Sequence, residues 1–314
     1  MGTRAGAALA QFAISLALGL VLLFGATELL LRHHVVPQDS FTAHVAMLGA
    51  NTSADAVFGD SHAARDFAPP AGMVNLAFPS ESIDHMDWKA RRYFSDRRPG
   101  RVIVQADPHL FAPYRLANRL GDYSAEIEDA GEAQHGAYLG DGRYRPQLVV
   151  LWKAFLRAGG TLNAQVQRTG NGALLSPGDL SEKSPRARRY EARSRVATHS
   201  QVAGRAQRER QAAFSRMLDF LAGRGATLCL VTLPVAPDYL LAFAEHAQPE
   251  ARKERARTLT FFAAEAVRRG AVYVDHQGTV TGLQHFRDVD HLNAAGATAY
   301  SPRLLEDCFG AAAG

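Results

Sequence analysis

Two short stretches far apart in the chain hold the residue types that acyl chemistry needs. The first is Gly59-Asp60-Ser61-His62, directly after the apolar Val57 and Phe58 and just before the helix-favouring Ala63-Ala64-Arg65. The second is Asp288-Val289-Asp290-His291, followed by Leu292 and Asn293. A serine hydroxyl is a weak nucleophile until a base takes its proton, and an imidazole serves best when a carboxylate fixes its tautomer. Asp288 and His291, three apart on one loop, can supply both groups, with the carboxylate on Nδ1 and Nε2 left facing Ser61. Each stretch also has an ordinary reading. Gly-Asp-Ser is a common strand-to-helix turn, and the later stretch is equally a polar loop in which Asp290 and Asn293 cap the next helix.

The two stretches converge only if the intervening elements bring them together. Five segments read as buried strands, each a short apolar run closed by turn residues: 56–60, 73–78, 101–107, 227–234 and 271–276. Helix-like stretches fall at roughly 82–95, 201–223, 251–269 and 293–308. Apolar strands alternating with amphipathic helices point to an α/β fold with a parallel central sheet covered on both faces. Ser61 then follows the first strand, Asp288 and His291 follow the last, and all three face one sheet edge. The backbone N–H groups of Ser61 and His62 would point outward there, where negative charge is favoured. Residues 111–200 break the rhythm and read as an insertion after the third strand, partly helical and partly loop, placed to cover the site. Its arginine cluster reads either as a solvated loop or as a contact for an anionic glycan or lipid head groups.

With both stretches in place, the chain resembles the SGNH (GDSL-type) hydrolase superfamily. The Gly-Asp-Ser block is Gly59-Asp60-Ser61 and the Asp-x-x-His block is Asp288-Val289-Asp290-His291, and the likeness covers about residues 55–110 and 226–309. It implies a three-layer α/β/α flavodoxin-like fold, with Ser61 as nucleophile, His291 as base and Asp288 as its orienting carboxylate. The middle blocks depart from the pattern. In "VNLAFPSES", Ser80 stands where a glycine would offer its N–H to the oxyanion. In "QADPHLF" the usual oxyanion asparagine is missing, and His109 or, as the weaker candidate, Asp107 is expected to contribute instead. His62 is expected to be a wall of the site. Altered blocks behind an N-terminal anchor resemble the branch that includes the AlgJ/AlgX-like, PatB-like and DltD-like envelope proteins. That likeness implies serine-dependent acyl transfer to an extracytoplasmic polysaccharide, alongside a membrane-bound O-acyltransferase (MBOAT). The AlgJ group typically uses Asp-x-His, so the branch is read from architecture alone. A plain anchored esterase or deacetylase, and a non-catalytic glycan- or partner-binding scaffold, stand as the other readings. No metal or cofactor is expected.

The remaining signals bound the setting. Residues 7–31 are apolar except for Gln11, Ser15, Thr27 and Glu28, long enough to cross a hydrocarbon core. The run is longer than a signal-peptide core and lacks a clean cleavage site, so an uncleaved anchor over 1–32 is favoured over a cleaved signal. Positive charges flank it almost evenly, so orientation is not set by charge. The catalytic domain is expected to be periplasmic or otherwise extracytoplasmic. Residues 33–54 read as a connector, 55–110 and 226–314 as the catalytic domain, and 111–225 as the insertion with the helix leading back. A formal net charge of +4, with no zinc-finger, RNP or basic-zipper pattern, gives no case for nucleic acid. The chain has two cysteines. Cys229, in an apolar run, reads first as a small buried hydrophobe, and its pairing with Cys308 is left open.

Overall fold

Every segment expected as a buried strand forms a strand, a residue or more shorter at its end, but the last of them, 272–275, is exposed or half-buried instead of buried. The computed structural model describes residues 2–35, 38, 40–115, 145–161, 167–202 and 204–310. The strands are β1 (Asp55–Phe58), β2 (Met73–Asn75), β3 (Arg101–Gln105), β4 (Gln167–Arg168), β5 (Leu174–Leu175), β6 (Thr227–Thr232) and β7 (Val272–Asp275). The central sheet has five strands in the order β2-β1-β3-β6-β7, all parallel; β4 and β5 form a separate antiparallel pair. The helices are α1 (Gly2–Leu30), α2 (Ser40–Ala50), α3 (Ser61–Asp66), α4 (Ile83–Tyr93), α5 (Arg145–Arg157), α6 (Pro185–His199), α7 (Arg205–Gly223), α8 (Pro237–His246), α9 (Pro249–Arg268) and α10 (Ala294–Phe309).

The chain divides into two compact units, one of residues 1–46 with 125–164 and one of 47–124 with 165–314. In the first, α1 runs on as a wider turn through Val35, and Gly6–Val35 is long and apolar enough to cross a membrane. His34 meets the ring of Phe155 on α5 edge-on, with centroids 5.7 Å apart. Of the expected insertion, the described residues 145–161 fall in the first unit and those from 167 onward in the second. The expected connector also contains a helix, α2. Residues 116–144 and 162–166, both inside the expected insertion, lie outside the described residues.

In the second unit, β1, β2, β3 and β6 bury all or nearly all their side chains, as strands of a parallel sheet covered on both faces do. β7 is an edge strand and stays partly exposed. Each fully buried large side chain, such as Phe58 or Phe67, stabilises the fold by roughly 2 kcal/mol. Val57, Ile103, Cys229 and Val231 form one core with α10 residues such as Ala297 and Leu304. There the structure corrects the first reading of Cys229: it is disulfide-bonded to Cys308, tying β6 to the last turns of α10.

Helix starts follow their capping residues. Ser184 accepts from the Ala187 N–H with Pro185 in the first turn of α6, and Asn293 accepts from the Gly296 N–H at the start of α10. Because all five sheet strands are parallel, their carboxyl ends share one edge. The strand order reverses between β1 and β3, and open α/β sheets bind ligands at such a crevice.

Candidate active site

The turn after β1 has to pass close to β3. A Cβ on Gly59 would collide with Gln105 and Ala63, so only glycine fits there. Asp60 follows as the N-cap of α3, accepting from the His62 N–H at 2.9 Å. Gln105 clamps the turn from β3, accepting from the Asp60 N–H at 2.7 Å and donating to Asp60 Oδ1 at 2.9 Å. The Asp60 carboxylate, fully buried, also receives His109 Nε2 at 2.9 Å and Arg115 Nη2. Asp60 is thus the anchor that fixes Ser61 at the start of α3.

Ser61 Oγ lies 3.0 Å from His291 Nε2, and His291 Nδ1 lies 2.9 Å from Asp288 Oδ1. The structure brings together the three residues that the sequence pairs only by type. Asp288 Oδ1 also accepts from the backbone N–H groups of Asp290 and His291, so a tight turn holds the carboxylate under the imidazole. Burial alone would raise the Asp288 acid, but the adjacent His291 ring and the backbone donors hold it well below the usual carboxylate range. A further tie comes from Asp66 on α3, which accepts from the Leu292 N–H at 2.8 Å. Burial pushes the Asp66 carboxyl far above its ordinary range.

The loop after β2 carries Ser80. Ser80 has φ of 70°, the single non-glycine residue in the left-handed region among the described residues. That backbone favours glycine, which agrees with the glycine expected at this place. The loop is held at both ends: the Phe78 N–H donates to Gly59 O at 3.1 Å, and buried Lys89 on α4 bonds Leu76 O and Glu81. Asn75 also pins it, accepting from the Ala77 N–H and donating to Ala63 O and Phe67 O on and after α3.

The loop after β3 does not do what the sequence suggested. Asp107 acts only as an acceptor, taking Gln105 Nε2 at 2.7 Å, the Leu233 N–H at 3.0 Å and the His62 ring at 3.4 Å. Although burial opposes it, the bond and charge of His62 hold the Asp107 carboxyl ionised, below its ordinary value. It has no hydrogen to give an oxyanion. His109 is pushed down to about 3 by burial and then by the His62 charge. A neutral ring donating Nε2–H to Asp60 leaves a lone pair on Nδ1, so His109 is not a donor either.

His62 is more than a wall. Its Nε2 lies 3.3 Å from Asp290 Oδ2 and its Nδ1 3.4 Å from Asp107 Oδ2. Burial would lower its pKa, but the two carboxylates overcome that and raise it to about 10, so the ring is an imidazolium. Asp290, also buried, has a role that local capping does not describe. It meets His62, Arg195 Nε at 3.0 Å and His199 Nε2 at 3.8 Å, and lies 3.6 Å from His291 Nδ1. Arg195 and His199 sit on α6, from the segment read as a solvated arginine loop. His199 stacks on His109 at 4.6 Å between centroids. No motif marks either residue; their local signal is the helical pattern that buries Ala192 and Val196 and carries Arg195 and His199 with them.

No family model matches the chain, and no curated protein matches it. His62 with Asp290 and His291, and His62 with Asp107 and His109, gather possible metal donors within 4.8 Å among the described residues. Both sets share His62, which the carboxylates of Asp107 and Asp290 flank. What the arrangement can do is proton transfer from Ser61 to His291 inside a buried, charged cluster. Asp60, Asp107, Asp288 and Asp290 face His62, Arg115 and Arg195, so a proton gained by His291 brings these opposing charges closer to balance.

Proposed function

We propose that this chain is a serine acyl-transfer enzyme of SGNH type, with a three-layer α/β/α core of flavodoxin-like winding. The single observation that carries the reading is the unbroken Ser61–His291–Asp288 chain at the carboxyl edge of the parallel sheet. Ser61 Oγ attacks an ester carbonyl while His291 takes its proton. The C–O bond to the leaving alcohol breaks as His291 returns that proton, leaving an acyl-Ser61. Water or a sugar hydroxyl resolves it by the reverse steps. The oxyanion is assigned to the N–H groups of Ser61 and Ser80. With Asp107 engaged as an acceptor and the His109 Nε2–H given to Asp60, a third donor from the β3 loop is missing, and loss of one such donor slows turnover by about 100–1000-fold. Slow hydrolysis suits an enzyme that hands its acyl group to an acceptor, such as an envelope glycan supplied through a membrane-bound O-acyltransferase.

The apolar helix through Val35 serves as a membrane anchor in this reading. The Cys229–Cys308 disulfide supports an oxidising, extracytoplasmic location for the sheet unit. The test is direct. Wild type is expected to release acid from small acyl esters and to be labelled by a serine-directed phosphonate, and Ser61→Ala to do neither. Undiminished activity in Ser61→Ala would overturn the assignment.

A further inference from the structure

Two guanidinium groups beside the triad converge on a neutral oxygen. Arg65 Nη1 donates to Ser176 Oγ at 2.9 Å, and Arg287 Nη1 donates to the same oxygen at 3.3 Å. Ser176 is buried, and its hydroxyl turns to Leu174 O at 3.5 Å, so its two lone pairs are both used by the arginines. The segment around it is fixed: Ser176 O accepts from the Ala294 N–H at 2.9 Å, and Asn293 Nδ2 donates to Gly178 O at 2.7 Å. Gly178 has φ of 129°, and a side chain there would press on Arg287.

Arg65 makes no ion pair with a carboxylate among the described residues, and its Nε is buried with no hydrogen-bond partner. Arg287 Nε reaches Asp288 Oδ2 only at the long distance of 4.0 Å, while Oδ1 of that carboxylate holds His291. Two cations that share one distant carboxylate still repel each other, and a buried N–H left unbonded is costly. An anion bridging them would remove both penalties, and a guanidinium pair is the natural partner of a carboxylate or phosphate. The position is informative too. Arg65 is one helical turn from Ser61 on α3, a spacing that puts side chains about 5–6 Å apart, and Arg287 directly precedes Asp288.

We propose that Arg65 and Arg287 form a clamp for an oxyanion group that the substrate carries next to its scissile ester. The chemistry is that of a carboxylate or phosphate on the acyl-bearing chain. This rests on the reading of Ser61 as the acyl nucleophile, and its test separates the two.

Full-length protein is assayed on matched acetyl esters: an acetylated methyl glucuronoside against the acetylated methyl glucoside, and acetylglycerol phosphate against acetylglycerol. The wild-type kcat/KM is expected to be at least about tenfold higher for the charged member of one pair, and that pair names the source of the anion. Arg65→Gln and Arg287→Gln are each expected to cut that charged-to-neutral ratio by about tenfold. Ser176→Asp, which supplies a carboxylate from within, should cut it as well. A ratio near one in wild type, or a ratio unmoved by the glutamine variants, overturns the clamp even if Ser61 is confirmed. If no ester is turned over, titration of Ser61→Ala with polyuronate and polyglycerol phosphate decides the matter. Binding lost on adding Arg65→Gln supports the clamp, whereas no binding, or binding indifferent to that change, overturns it.

Discussion

His62 shows at the residue scale how far surroundings can override type. An imidazole of ordinary pKa carries no fixed charge at neutral pH. Between Asp107 and Asp290 its pKa is raised to about 10, while His109, with its ring centroid 4.4 Å away, is pushed down to about 3. The stability consequence has opposite signs for the two. His62 contributes fully below its ordinary 6.5, and that contribution fades as pH rises toward 10. His109 binds a proton when unfolded but not when folded, so it costs stability as pH falls from 6.5 toward 3. In 15N-detected NMR, His62 is expected to keep both ring protons at pH 8.5 and His109 to keep only one at pH 5. Loss of the His62 proton near 6.5 would refute the imidazolium assignment. The types and spacing of Ser61, Asp288 and His291 were legible in the chain. The roles of His62 and Asp290 were not, because they arise from contacts about 230 residues apart, as in the separation of 228 between His62 and Asp290.

Helix α6 carries the lesson at the scale of elements. Composition suggested a solvated arginine loop, and Arg186, Arg189 and Arg193 are indeed exposed. Arg195 on the same helix is instead paired with the buried Asp290, and Arg188 with Asp238 on α8. The helix thereby completes the charge environment of His291. Removing Arg195 takes away the guanidinium that lies 3.0 Å from the buried Asp290. In Arg195→Ala, kcat/KM is expected to fall by about tenfold, with Arg195→Lys recovering much of the loss. Equal losses in the two variants would instead mark a purely structural role. The five strands were readable because each is a short apolar run. α6 and α8 were not, since the Gly-, Ser- and Pro-rich run ahead of α6 reads as loop and α8 is short, with a proline at its first position.

For the whole molecule, the Cys229–Cys308 bond is the main covalent constraint. It spans 79 residues and joins the middle of β6 to the end of α10, the helix that starts three residues after His291. Closing a loop of that length restricts the unfolded chain by about 4 kcal/mol. Cys229→Ser with Cys308→Ser is therefore expected to lower the urea-unfolding free energy by roughly 2–4 kcal/mol, and dithiothreitol to do the same to wild type only. An unchanged midpoint after reduction would show that the bond does not contribute. The reading of these cysteines from sequence stopped short because pairing depends on a 5.5 Å Cα separation that only packing creates.

By itself the sequence determined the apolar N-terminal helix, the five parallel strands and the three residues placed for proton transfer. These follow from local causes: run length, side-chain period and the chemistry of each residue type. Only the tertiary structure decided which charges face one another. The cation between Asp107 and Asp290, the failure of Asp107 and His109 as donors, the disulfide and the pair of arginines on Ser176 are all of this kind. Each depends on distances of 2–4 Å between segments far apart in the chain, and Coulomb and hydrogen-bond energies at that range change too steeply for any pattern of residue types to encode them.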